Sequence, residues 1–186
     1  MSETDGQLYI RFLNDDSEEA LRILFEKYKS SLTMFLYGIV GNEDDAEELM
    51  MDTFAVLVSK TAHYSVRKDA EFKTWLFAVA RNQARNHLRR RKRFFDMTDD
   101  ALESQPDDFQ NQPEYVILRE EKNQKLWQAL KVINSDYRQV LYLMYFEDMQ
   151  LDEIARIMKK TKKQVYNLSA RAKASLKKTL EEIGYK

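Results

Sequence analysis

Between Phe72 and Arg93 the chain reads FKTWLFAVARNQARNHLRRRKR, and this stretch constrains the fold more than any other. Phe72, Trp75, Leu76, Val79 and Ala80 recur at steps of three and four, the spacing of one helix face. Arg81, Arg85 and Arg89 recur every fourth residue on a second stripe, with Asn82 and Asn86 beside them, and the stretch ends on five consecutive basic residues, Arg89–Arg93. A helix of this kind buries one side and offers the other to a polyanion. Its aromatics are suited to stacking on unpaired bases and its arginines to holding phosphates. The plainer alternative is a core stripe, certainly for Leu76 and Val79, with a solvated basic end that suits the helix dipole. Five basic residues in a row exceed what a helix end needs.

The same three-and-four spacing runs through most of the 186 residues, with only four Gly and two Pro to interrupt it. The expected fold is therefore all-α. No apolar run approaches the length needed to span a bilayer, so no membrane insertion is expected. Cysteine is absent, which excludes disulfides, Cys-type zinc sites and Cys nucleophiles and fits a reducing cytoplasm.

The net charge of −1 conceals strong segregation. Residues 1–60 carry 5 basic and 13 acidic side chains, and residues 61–95 carry 10 and 2. Residues 96–118 carry none and 7, residues 119–158 carry 6 and 7, and residues 159–186 carry 9 and 2. Two separate basic blocks imply two contacts on one polyanion, and the acidic blocks imply a basic protein surface or self-screening.

Residues 1–16 are polar and expected to be ragged, with at most a short turn around Leu8, Tyr9, Phe12 and Leu13. Ser17 marks a helix start, and a long amphipathic helix then runs to about Gly41. Asn42 is the expected N-cap of the next helix, with Glu43, Asp44 and Asp45 in its first turn. Ala46, Leu49, Met50, Phe54, Leu57 and Val58 form its expected buried side, and Asp45, Glu48 and Asp52 its outer side. That acidic face suits a basic protein partner better than a metal, since no His joins it. Residues 61–71 break the period and read as a loop. Tyr64 there either stacks on a base or packs beneath the loop.

Residues 94–118 hold both prolines and no basic residue, and read as a flexible acidic linker between two domains, 1–93 and 119–186. Beyond it, a helix is expected over Leu118–Ile133, and another follows, capped by Ser135 or Asp136. A short helix, Leu151–Met158, a turn at Lys159–Thr161 and a basic helix from Lys162 to about Leu180 then give the pattern of a helix-turn-helix. Its second helix would lead into the major groove, with Lys162, Lys163, Gln164, Tyr166, Asn167 and Lys173 facing outward.

Taken together, the segments resemble the extracytoplasmic-function sigma factors of bacterial RNA polymerase. DDAEELMMDTF (44–54) is similar to the family's acidic helix that docks on the polymerase clamp. FKTWLFAVARNQARNHLRRR (72–91) is similar to the helix that recognises and opens the promoter −10 element. YRQVLYLMYFEDMQLDEIARIM (137–158) and TKKQVYNLSARAKASLKKTL (161–180) are similar to the scaffold and recognition helix of the −35-binding domain. The resemblance implies a region 2 type domain over 1–93 and a region 4 type helix-turn-helix domain over 119–186, and a non-enzymatic protein without cofactor or metal. It implies that Asp45, Glu48 and Asp52 contact core polymerase. Tyr64, Trp75, Arg81, Asn82, Arg85, Asn86 and Arg89 would contact the −10 element, and Lys162, Lys163, Gln164, Tyr166, Asn167 and Lys173 the −35 element. An anti-sigma factor is the expected regulator, and the cytoplasm the expected place. Two departures stand out. Lys159 or Lys160 occupies the turn where the family often has Gly, so a residue forced to positive φ would carry strain. Tyr166, Asn167 and Leu168 replace the family's common Lys-Ser-Arg run, so the base contacts there differ.

Two other functions compete. A stand-alone helix-turn-helix repressor or activator would explain residues 151–180 and leave the Trp75–Arg93 helix without a role. A metal-dependent nuclease would need Asp44, Asp45, Glu48 and Asp52 to converge with carboxylates from another element.

Overall fold

The helix starts are set by short polar side chains that satisfy first-turn amides. In the computed structural model, which describes residues 3–61, 63, 64, 71–98 and 121–184, eight helices and no strand occur among the described residues. Ser17 caps α2 (Glu18–Val40), accepting from the Ala20 amide at 3.4 Å, and Gly41 closes that helix in the left-handed conformation at φ 74°. Asn42 caps α3 (Glu43–Val58), its side-chain oxygen 2.8 Å from the Asp45 amide.

Residues 5–15 are not ragged. They form α1 (Asp5–Asp15), started by a capping box in which the Thr4 hydroxyl and the Gln7 side chain bond each other's amides at 3.3 and 2.8 Å. The helix exists because Tyr9 has somewhere to go. Its ring is fully buried against Phe72 and Trp75, and its hydroxyl donates to the Leu57 carbonyl at 3.2 Å.

α4 (Phe72–Thr98) is the longest helix at 27 residues, and it continues through Phe94 and Phe95, five residues past the expected boundary. The rest of the expected linker, from 99 to 118, lies outside the described residues, as do 62 and 65–70 of the expected loop. α5 (Glu121–Val132) and α6 (Ser135–Tyr145) follow. The cap of α6 is Asn134, one residue before the expected Ser135, because its side chain reaches the Asp136 amide at 2.8 Å. α7 (Leu151–Met158) and α8 (Lys162–Glu182) form the expected helix-turn-helix. Lys159 sits in its turn at φ 53°, one of the two positions where the resemblance implies a Gly, and the Lys160 amide returns to the Ala155 carbonyl at 3.0 Å.

The helices form two groups, α1–α4 and α5–α8, and the core runs through both: α2 packs on α6, and α4 on α7. Phe35 of α2 joins them, with its ring 5.2 Å from Phe77 of α4 and 5.9 Å from Tyr142 of α6. Arg138 of α6 adds a polar clasp, donating to the Gly38 carbonyl of α2 at 2.7 Å and to the carbonyls of Leu130 and Lys131. Val58, expected inside, is half exposed at the end of α3, where Leu57 takes the buried position.

Candidate nucleic-acid and polymerase interfaces

Three helix faces carry the candidate residues. α8 is the simplest. Val165, Ser169 and Ala172 face inward, and Lys162, Lys163, Gln164, Tyr166, Asn167 and Lys173 are all exposed. Thr161 caps the helix, with its hydroxyl 3.2 Å from the Gln164 amide, and the Gln164 side-chain carbonyl accepts from the Thr161 amide at 2.8 Å. Gln164 therefore keeps its amide NH2 to donate, while its oxygen already accepts one bond in the cap. Lys173 stands over the Tyr145 ring at 5.5 Å.

α4 is arranged differently. Arg85 and Arg89 are exposed, Asn82 and Asn86 are half buried, and Asn86 accepts from Arg89 at 2.9 Å. Trp75 and Tyr64 belong to an aromatic cluster. The Tyr64 ring lies 5.6 Å from Tyr9, 5.6 Å from Phe72 and 5.2 Å from Trp75. The Tyr64 ring is thus packed in this cluster and only partly buried. Burial first, and then the carboxylates of Asp5 and Glu71, push its hydroxyl pKa upward, so the phenol is neutral and available as a donor.

Arg81 is buried, with 4% of its surface exposed. Its Nε donates to the Gln139 side-chain oxygen of α6 at 2.6 Å, one terminal nitrogen to the Met158 carbonyl of α7 at 3.4 Å, and the other lies 3.7 Å from Asp136. Burial, then the neighbouring charge of Arg85, lowers its pKa, and Asp136 opposes the shift. An arginine starts so high that it stays charged. Among the proposed −10 contacts, Arg81 is thus the one turned toward the C-terminal helices. Of its partners, Gln139 was not singled out from the sequence, and Asp136 was read only as a possible helix cap. The available signal was Gln139 itself, a polar residue inside the apolar run of α6.

On α3, Glu48 and Asp52 are exposed. Asp45 is committed to α4: one of its oxygens is 3.3 Å from Arg91 and 3.4 Å from the His87 ring nitrogen. Asp44, Asp45, Glu48 and Asp52 stay on that one helix, and no group of three or more metal-binding side chains converges among the described residues. No helix among those residues is long and apolar enough to cross a membrane.

Comparison with known proteins gives the same pattern. Residues 24–94 match the family model described as Sigma-70 region 2, and residues 123–176 match Sigma-70, region 4. The RNA polymerase sigma-H factor of Pseudomonas aeruginosa is 27% identical over 188 residues, covering 97% of this chain and 96% of that one. The ECF RNA polymerase sigma factor SigM of Bacillus subtilis is 25% identical over 154 residues, covering 83% and 91%. The fold is similar to that of the sigma factor RpoE from Bartonella quintana, solved in complex with the anti-sigma factor NepR. There the TM-score is 0.64 at 18% identity, covering 86% of this chain and 96% of that one. With both regions matched in order and relatives similar along nearly their whole length, this chain belongs to the extracytoplasmic-function group of RNA polymerase sigma factors.

Proposed function

We propose that the two basic helices divide promoter recognition between them, in a protein that directs core RNA polymerase to initiate transcription and makes or breaks no bond itself. The observation that carries this reading is the pair of helices, each presenting arginine or lysine at helical spacing, in the order of regions 2 and 4.

α8 reads duplex. Its first turn enters the major groove, where Lys162 and Lys163 hold phosphates and Asn167 can pair with an adenine edge. Gln164 offers its amide NH2 as a donor to base acceptors such as guanine O6 and N7 or thymine O4. Exposed Tyr166 offers apolar contact to a thymine methyl, and Lys173, farther along, reaches the backbone. α4 serves the −10 element. Arg85 and Arg89 neutralise phosphates of the non-template strand, with Asn82 and Asn86 beside them, and the Tyr64–Trp75 cluster supplies the aromatic surface for an unstacked base. Each phosphate held releases counterions, so binding weakens steeply with salt.

Glu48 and Asp52, with Asp45 at their N-terminal side, face a basic surface of core polymerase. An anti-sigma factor, the kind of partner bound in the Bartonella structure, is the proposed regulator, and the cytoplasm is where the protein meets polymerase.

The experiment is run-off transcription with bacterial core polymerase on a promoter library, with and without the protein. Transcripts starting behind a shared pair of motifs, only when the protein is present, are the expected result. No protein-dependent start, together with tight sequence-specific duplex binding by the protein alone, would move the reading to a repressor or activator.

A further inference from the structure

α1 lies ahead of residue 24, where the match to region 2 begins, so that match assigns it no role. It is nonetheless fixed along its whole length. At its start the Asp5 carboxylate accepts from the Lys27 ammonium at 2.7 Å and from the Tyr28 hydroxyl at 2.5 Å, both on α2. At its middle the Tyr9 hydroxyl reaches the Leu57 carbonyl of α3. At its end Lys60, just past α3, donates to the Leu13 carbonyl at 3.1 Å and pairs with Asp16 at 2.6 Å. Ties from two other helices make α1 a strut.

Gly6 stands in the first turn of this strut. Glycine within a helix costs about 1 kcal/mol relative to alanine. Backbone geometry does not require it here, since the left-handed glycines among the described residues are Gly41 and Gly184. Close packing supplies the reason. A Cβ at position 6 would lie 2.6 Å from the Tyr64 hydroxyl oxygen and 3.6 Å from the ring carbon Cζ. The phenol therefore rests on the bare backbone of α1, while Tyr9, Phe72 and Trp75 hold its ring from other sides. A phenol oxygen is rigid with its ring, so it cannot step aside unless the ring shifts within the cluster. Without the hydroxyl, the nearest approach would be the 3.6 Å contact, an ordinary van der Waals distance.

We infer that α1 is the positioning element of the −10 reader: Gly6 and Tyr9 fix the Tyr64 ring beside Trp75, where an unstacked base is received. Gly6 acts by its size and through Tyr64. A ring already held in place loses little freedom when a base stacks on it, so displacing it weakens the opening step and leaves the duplex contacts of α8 alone. The placement of the ring rests on the geometry. Its consequence for promoter opening rests on the function proposed for the Tyr64–Trp75 cluster.

The test uses core polymerase with the full chain, on a promoter identified by run-off transcription and carrying 2-aminopurine in the −10 element. Its fluorescence reports opening, and a gel shift at low temperature reports the duplex binding that precedes it. Gly6→Ala, Tyr64→Phe, the two together, and Tyr64→Ala are compared with the unaltered chain. Tyr64→Ala removes the stacking surface and is expected to lower the opening equilibrium constant about tenfold. Gly6→Ala is expected to lower it about fivefold with duplex binding unchanged. In the Tyr64→Phe background Gly6→Ala is expected to have no effect, because the atom its methyl would meet is gone. An effect of Gly6→Ala that is equal in the two backgrounds, zero included, overturns the inference. So does a loss of duplex binding as large as the loss of opening. Opening that Tyr64→Ala leaves unmoved overturns the base-receiving role of the cluster, and the inference with it. A loss with Tyr64→Ala beside equal effects of Gly6→Ala keeps that role and overturns only its positioning by α1.

Discussion

α4 and α8 are both long basic helices, yet they stand in opposite relations to the rest of the molecule. α8 contributes three buried positions and leaves its whole polar face in solvent. α4 is gripped from several sides: by Tyr9 and Phe35 through its aromatics, by Asp45 through Arg91, and by Gln139 and Met158 through Arg81. The difference teaches that a basic stripe does not define a contact surface by itself. A duplex reader can wait exposed, because duplex DNA is always available. The helix proposed to read unpaired strands is anchored through Arg81 and its aromatics, while its Arg85 and Arg89 stay in solvent.

The largest effect should come from the buried ring that packs α4 on α2. Phe77→Ala removes a fully buried ring packed on Phe35 and is expected to cost about 3–5 kcal/mol by chemical denaturation. A cost under about 1 kcal/mol would mean that α4 is not held in the shared core. Next, the two helices should separate in duplex binding. Lys163→Ala should weaken duplex binding and lower its salt slope by about 1, whereas Arg81→Gln should leave that slope unchanged in the free protein. Equal slopes for both variants would break the comparison. Tyr142→Phe loses a hydroxyl that bonds the Ser31 carbonyl and Glu147 at 3.0 Å, between α6 and α2. It should cost about 1 kcal/mol in the same denaturation assay. The smallest effect belongs to α3. Asp45→Ala opens a partly exposed pair with Arg91 and should change stability by at most about 1 kcal/mol. In a pull-down with core polymerase, Glu48→Lys with Asp52→Lys should weaken capture more than Asp45→Ala, because Asp45 already has an internal partner.

The periodicity of apolar residues was enough for α2, α3, α4, α7 and α8, because each carries its own stripe in a short window, and α2, α3 and α8 a side-chain cap as well. α1 was missed for the complementary reason. Its pattern is short, and only the distant Leu57 carbonyl and the Phe72–Trp75 rings make Tyr9 worth burying. The exposed residues of α8 were legible because a helix facing solvent obeys its own period. Arg81 was legible as part of a basic stripe, but its burial was not. The partners that compensate it come from Gln139 and Met158, 58 and 77 residues away. Likewise Asp45 reads as part of an acidic face until Arg91, 46 residues on, is seen to claim it.

The most direct test is permanganate reactivity of thymines on a promoter identified by run-off transcription. Core polymerase and this protein together should expose unpaired thymines around the −10 element, and neither should do so alone. Arg85→Ala with Arg89→Ala should reduce that reactivity and leave duplex binding through α8 in place. Thymines that stay unreactive with both proteins present, or that react with polymerase alone, would contradict the assignment of α4 to the melted strand and with it the division of promoter reading between the two helices.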